Sequence, residues 1–117
     1  MSILIVQHSP PYGNSNAKEA LDIALAAGTF EQEVHILFMG DACYQLAENQ
    51  NPHMLGQKSI PKMLTALPIY GIEEVLIDRA SLDERSINTL CKDVKVKVLS
   101  SDEVKAAYRN AKTVLRF

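Results

Sequence analysis

Ile3-Leu4-Ile5-Val6-Gln7, ended by Ser9-Pro10-Pro11-Tyr12-Gly13 and followed by apolar positions at helical spacing, is the stretch that decides the fold. The first run is short, apolar and rich in β-branched residues, which marks a strand buried on both faces. Asn16-Ala17-Lys18-Glu19 then supplies a helix cap, with Glu19 placed to reach back. Ala17, Ala20, Leu21, Ala24 and Leu25 recur at helical intervals, and Gly28 stands where a C-terminal glycine would stop the helix. Val34–Met39 repeats the strand signature. A strand, a helix and a second strand in this order predict a crossover between parallel neighbours.

The same alternation continues along the chain. Gly40-Asp41 predicts a short helix, capped by Asp41 and carrying Cys43, Leu46 and Ala47. Glu48–Gly56 is polar and turn-rich and reads as the main loop. Ile60, Met63, Leu64 and Leu67 mark another helix, stopped near Pro68, and Val75–Ile77 reads as a third strand. Capping boxes start at Ser81 and at Ser100. Between them Val94-Lys95-Val96-Lys97-Val98 alternates as an edge strand with one wet face. Thr113–Phe117 is a last short strand. The expected fold is α/β: a single domain over residues 1–117, with a mostly parallel five-stranded sheet and helices on both faces. The expected strand order is flavodoxin-like or that of a relative.

Bulk properties agree with this class. The 117 residues fit one domain, and 47% hydrophobic with 22% charged residues is ordinary for a globular chain. A net charge of −2 without a basic block gives direct nucleic-acid binding no electrostatic support. Cys43 and Cys91 lack metal-ligand or CxxC spacing, and reduced thiols are expected. Met1–Val6 carries no basic n-region and is too short for a membrane span, so a cytosolic location is expected.

Ligands of open parallel sheets sit beyond the carboxyl ends of the strands, where Gln7–Asn16, Gly40–Gln45 and Asp78–Arg85 lead. The first segment opens on a helix N-terminus able to cradle an anion and faintly resembles flavin-phosphate loops. It is neither GxGxxG nor a P-loop, and an ordinary capped turn is the preferred reading. Cys43, near a helix start, would gain thiolate character from the dipole, yet it shares a face with Leu46 and Ala47, which favours packing. Cys91 reads as the buried end of a helix. His8, His35 and His53 have no second ligand at i+3 or i+4; His8 lies nearest a site, His35 reads as a core or interface histidine, and His53 falls in the loop. No GxSxG elbow supports a hydrolase. Asp78-Arg79 reads as a solvated loop pair. Tyr12, Tyr44, Tyr70 and Phe117 are divided evenly between interface contact and partial core burial.

The opening Ile3–Val6 with Pro11-Tyr12-Gly13, then Ala17-Lys18-Glu19-Ala20-Leu21-Asp22, resembles the TusC/DsrF branch of the DsrE-like family. Val34–Asp41 leading into Tyr44-Gln45-Leu46 and Gln50 fits the same branch, as do Ala80–Arg85 and the closing Val114-Leu115-Arg116-Phe117. The resemblance implies a DsrE-like fold and a heterohexamer with TusB-like and TusD-like subunits. Such an assembly accepts persulfide sulfur and passes it on toward the 2-thio group of wobble uridine in tRNA. It also implies that a TusD-like sister carries its persulfide cysteine at the end of the third strand. Here that stretch is Leu76-Ile77-Asp78-Arg79, without a cysteine. The expectation is therefore a non-catalytic subunit with no catalytic, cofactor-binding or metal-binding residues and no cofactor, acting with sulfur donor and acceptor proteins. A small flavin- or nucleotide-binding protein, a DsrEFH-type subunit of dissimilatory sulfur oxidation, and direct sulfur carriage by Cys43 are the competing expectations.

Overall fold

The computed structural model describes residues 2–8, 16–29, 33–46, 65–88, 90 and 94–117. Five strands form one sheet: β1 (Ser2–Gln7), β2 (Glu33–Phe38), β3 (Val75–Asp78), β4 (Val96–Leu99) and β5 (Thr113–Arg116). All pairs are parallel and the order is β4-β3-β2-β1-β5. Among the described residues the helices are α1 (Asn16–Thr29), α2 (Arg79–Glu84) and α3 (Ser101–Asn110), with 3-10 helices at Gly40–Leu46 and Leu67–Tyr70 and the end of a further helical segment at Thr65. The expected α/β class and parallel sheet are present. The strand order is that of a relative of flavodoxin, whose own order is 2-1-3-4-5.

Handedness turns this order into two unequal faces. The chain steps the same way across the sheet from β1 to β2, β3 and β4, and only the last crossover, to β5, runs back. Right-handed crossovers put the first three connections on one face and the last on the other. The packing agrees. Leu21 and Ala24 of α1, Ala42, Cys43 and Leu46 after β2, Leu67, and Leu82 of α2 share a core with Ile5, Ile36, Phe38 and Ile77. Val104 of α3 packs instead with Leu4, Val6, Leu37 and Leu99. Adjacent residues of β1 and β2 point to opposite faces, so both sides of these strands must be apolar, and the continuous runs of the sequence follow.

The edges behave as their sequences require. In β4, Val96 and Val98 pack against the main core while Lys97 is exposed, which is the alternation expected of an edge. At the other edge β5 is inserted beside β1, and the Phe117 N–H donates to the Val6 carbonyl at 2.9 Å. Phe117 itself is half-buried against the main core.

Two local expectations, the caps at Ser81 and Asp41, are corrected. Helix α2 begins three residues before the anticipated Ser81 cap: its N-cap is Asp78, and Ser81 is buried inside the helix. The α-helical segment whose described end is Thr65 stops just before Pro68, as expected, and Pro68 then opens the 3-10 helix Leu67–Tyr70, in a first turn where no backbone donor is needed. That helix ends on Gly71, whose φ of 87° is the left-handed cap that glycine adopts without strain. Asp41 lies within the 3-10 helix Gly40–Leu46, and its carboxylate engages Arg85. The Ser100 box forms in full: Glu103 N–H donates to Ser100 Oγ, and Ser100 N–H to Glu103 Oε1. The expected loop at 48–56, the apolar positions 60–64, Tyr12, His53 and Cys91 lie outside the described residues.

Candidate functional site

The carboxyl ends of β1, β2 and β3 bring together Gln7, His8, Gly40, Asp41, Cys43, Asp78, Ser81 and Arg85. A hydrogen-bonded chain runs through them. Asp78 Oδ2 accepts from the Ser81 backbone N–H at 3.2 Å and from its hydroxyl at 2.7 Å. Ser81 Oγ in turn accepts from the Gly40 N–H at 2.9 Å, which ties the exit of β3 to the exit of β2. Asp78 is 7% exposed, so the Asp78-Arg79 pair is not a solvated one: the aspartate caps α2 from inside and only Arg79 faces solvent. The reason is strand register. β3 ends on Asp78 paired with Leu99 of β4, which holds the carboxylate directly before the first turn of α2.

Gly40 serves this turn through its backbone conformation, with ordinary contact distances around it. Its φ of 56° is in the left-handed region, and Arg85 Nη2 and His8 Nδ1 lie 3.7 and 3.9 Å from where a Cβ would stand. Arg85 spans the mouth, donating from Nε to Asp41 Oδ1 at 3.0 Å and from Nη1 to the Ser81 carbonyl at 3.3 Å. The Asp41 hydrogen bond raises its pKa further, so the guanidinium is a fixed, already neutralised cation.

Cys43 lies beneath this chain. It is fully buried, and its Sγ lies 3.6 Å from the Phe38 carbonyl, to which the thiol donates. Burial pushes the thiol up to about 11, with Arg85 opposing, Asp78 adding and the Ser81 hydrogen bond opposing. The helix-start environment invoked from the sequence would have lowered the thiol; desolvation overrides it. Thiolate is the reactive form of sulfur, and at neutral pH this site holds almost none.

Sequence reasoning missed the neighbouring glutamines. Gln7 and Gln45 are both fully buried, and Gln45 Nε2 donates to Gln7 Oε1 at 2.7 Å. Gln7 Nε2 has no partner among the described residues. A polar residue closing an otherwise apolar strand was the available signal. His35 is not a core histidine: it is exposed on β2, with Nε2 3.0 Å from Glu33 Oε1. Tyr44 and Tyr70 are about 40% exposed. Residues 9–15, the anion-loop candidate, lie outside the described residues. Among the described residues no group of three potential metal ligands occurs, and no helix is long and apolar enough to cross a membrane.

These features define a class: a parallel α/β domain whose strand ends are tied together by its own aspartate, serine and arginine. Comparison with known proteins names the family. The model of the DsrE/DsrF-like family matches residues 1–117, and the chain belongs to that family, in its TusC/DsrF branch. It is 42% identical over 86 residues to a "Protein TusC homolog" of Pseudomonas aeruginosa, covering 74% of this chain and 72% of that protein. It is 32% identical over 84 residues to the "Intracellular sulfur oxidation protein DsrF" of Allochromatium vinosum, covering 72% and 62%. The crystal structure of the YchN protein of Escherichia coli superposes with a TM-score of 0.83 at 25% identity, covering 99% of this chain and 98% of that one.

Proposed function

We propose that this chain is a non-catalytic structural subunit of a sulfur relay of the TusBCD type. In this reading residues 1–117 form one domain that assembles with TusB-like and TusD-like subunits into a cytoplasmic heterohexamer. Persulfide sulfur passes through the assembly toward 2-thiolation of the tRNA wobble uridine. The observation that carries the reading is Asp78. Where the family resemblance places a sister's persulfide cysteine, at the end of the third strand, this chain has a carboxylate already committed to capping α2. A carboxylate cannot hold sulfane sulfur, because transfer needs a polarizable thiolate that attacks and is attacked at sulfur. Cys43, buried and with a raised pKa, is a poor substitute. The subunit's contribution is then geometric: a rigid surface that orients the sister's cysteine, with no catalytic, cofactor or metal residues of its own.

Similarity to a protein named for intracellular sulfur oxidation supports a second reading, in which the same architecture serves a DsrEFH-type assembly. Deleting the gene separates the two: loss of 2-thiouridine from tRNA supports the first, loss of intracellular sulfur oxidation the second. Sulfur transfer in the reconstituted trio tests the subunit role. Labelled sulfane sulfur should reside on a sister chain, and Cys43→Ser should leave transfer intact while costing about 1–2 kcal/mol of stability. A Cys43→Ser trio that assembles but moves no sulfur would refute the reading and make Cys43 a carrier.

A further inference from the structure

Among the described residues, the face of the sheet that carries α3 is half uncovered, and we infer that a helix of a sister subunit, bearing lysine or arginine among apolar residues, docks there. The inference rests on the subunit reading and adds the surface and its chemistry.

Five strands about 4.8 Å apart span roughly 19 Å between their outer axes, whereas one helix is about 10 Å across. On the α3 face Val104 is the buried helical residue, covering Leu4, Val6, Leu37 and Leu99. Beside α3 lies a hollow of about 510 Å³ over the stretch from β1 to β4. Its floor includes Leu4 and the half-buried Leu76, and Ala106 and Ala107 of α3 form one wall. Parallel sheets are stable with both faces covered, so an open stretch of this kind is an interface in waiting.

This chain's own topology argues against self-coverage. Leu46 and Leu67, which flank the long β2–β3 connection, both belong to the core of the opposite face, as right-handed crossovers require. Among the described residues only α3 lies over this half of the sheet, which leaves the place for another molecule.

Charge selects which one. The rim carries Glu33, Glu74 and Glu103 against Lys97. A contiguous hollow of about 340 Å³ shares Glu33 and Glu74 and adds Glu73 and Lys95. Four carboxylates thus face two lysines along the groove. A second copy docked face to face would set carboxylate against carboxylate, which interfaces avoid. A basic helix satisfies them, and the alanine wall lets its backbone approach closely.

The test uses the full chain co-expressed with its TusB-like and TusD-like sisters. The double charge reversal Glu33→Lys with Glu74→Lys alters exposed or half-exposed side chains, and circular dichroism and the melting temperature verify that it folds. Asp22→Lys, an exposed position on α1, is the control. The double reversal should weaken assembly about tenfold or more, with the loss relieved by high salt, and Asp22→Lys should not. Hydrogen exchange should show protection of β2 and β3 side residues' neighbouring amides and of α3 on assembly. A trio that survives the double reversal unchanged overturns the docking inference alone, as does protection confined to Ile23, Ile69 and Tyr70. Dimerisation of the chain by itself through this face, abolished by the reversal, overturns the choice of a sister helix. A wild-type chain that retains no sister overturns the subunit reading and the docking inference with it.

Discussion

On one face of the sheet Ile36 and Ile77 are fully buried beneath α1, α2 and the segments after β2; one residue earlier on the same strands, His35 and Leu76 line an open groove. The strands are the same, and their β-branched, aromatic and leucine side chains are no less apolar toward one side near the carboxyl end. What differs is the number of crossovers that pass over each face. Three connections cover the first face and one covers the second. The lesson is that topology and composition agree: the side crossed three times carries Val34, Ile36, Val96 and Val98, while the side crossed once carries Glu33, His35 and Lys97 beside the half-buried Leu76.

Neighbouring substitutions on one strand break or sharpen this comparison most directly. Ile77→Ala should cost about 2–5 kcal/mol, through lost burial and a cavity that the packed face cannot collapse. Leu76→Ala should cost about half of that or less in the isolated chain, because its side chain already touches water. His35→Ala should fall within about 0.5 kcal/mol of wild type. Denaturant unfolding at fixed m measures all three. Equal costs at Ile77 and Leu76 would mean that the two faces are equally covered.

The strand-end chain gives the next largest effect, since it locks α2 to the covered face. Asp78→Ala should cost about 1–2 kcal/mol from the lost cap, with the buried Ser81 hydroxyl left short of its acceptor. Asp78→Asn, which keeps an acceptor, should recover a good part of the loss. An Asp78→Ala protein as stable as wild type would mean that the cap is dispensable.

Gly40→Ala isolates the backbone in the same region. The nearest atoms leave room for a Cβ, so the expected penalty of about 1–2 kcal/mol comes from the positive φ rather than from a clash. Thermal unfolding measures it, and no penalty would mean that the turn relaxes out of the left-handed region.

The smallest effect belongs to the thinly covered face. Glu103 is held below the usual carboxylate range by the Ser100 backbone N–H, with the Ser100 side chain and Lys97 also contributing to the shift. A depressed folded pKa means stabilisation that is present above the ordinary value of about 4.3 and is lost as pH falls through the folded value. The stability difference between wild type and Glu103→Gln should therefore be largest near neutrality and shrink on acidification. A difference that is constant from pH 7 to pH 3 would exclude a charge contribution to the cap.

Much of this was legible in the chain itself. The runs Ile3–Gln7, Val34–Met39, Val75–Ile77 and Thr113–Phe117, the alternation around Lys97, the helical spacing after Asn16 and the box at Ser100 determined five strands, the class of sheet and one helix start, because each depends on local periodicity or on a side chain reaching its own backbone. Only the tertiary structure decided the rest. The Ser81 box was a false signal: Asp78 was nearer the helix start, and strand register put its carboxylate where the cap was needed. Cys43 carried a helix-start signature, but its pKa was set by desolvation beneath Ser81 and Arg85, residues about forty positions away in the chain. His35 followed a buried pattern yet faces the groove, because coverage depends on which way each crossover turns. Residue type and spacing are properties of the sequence; burial and the company a side chain keeps are set by strand order and handedness, which no single segment encodes.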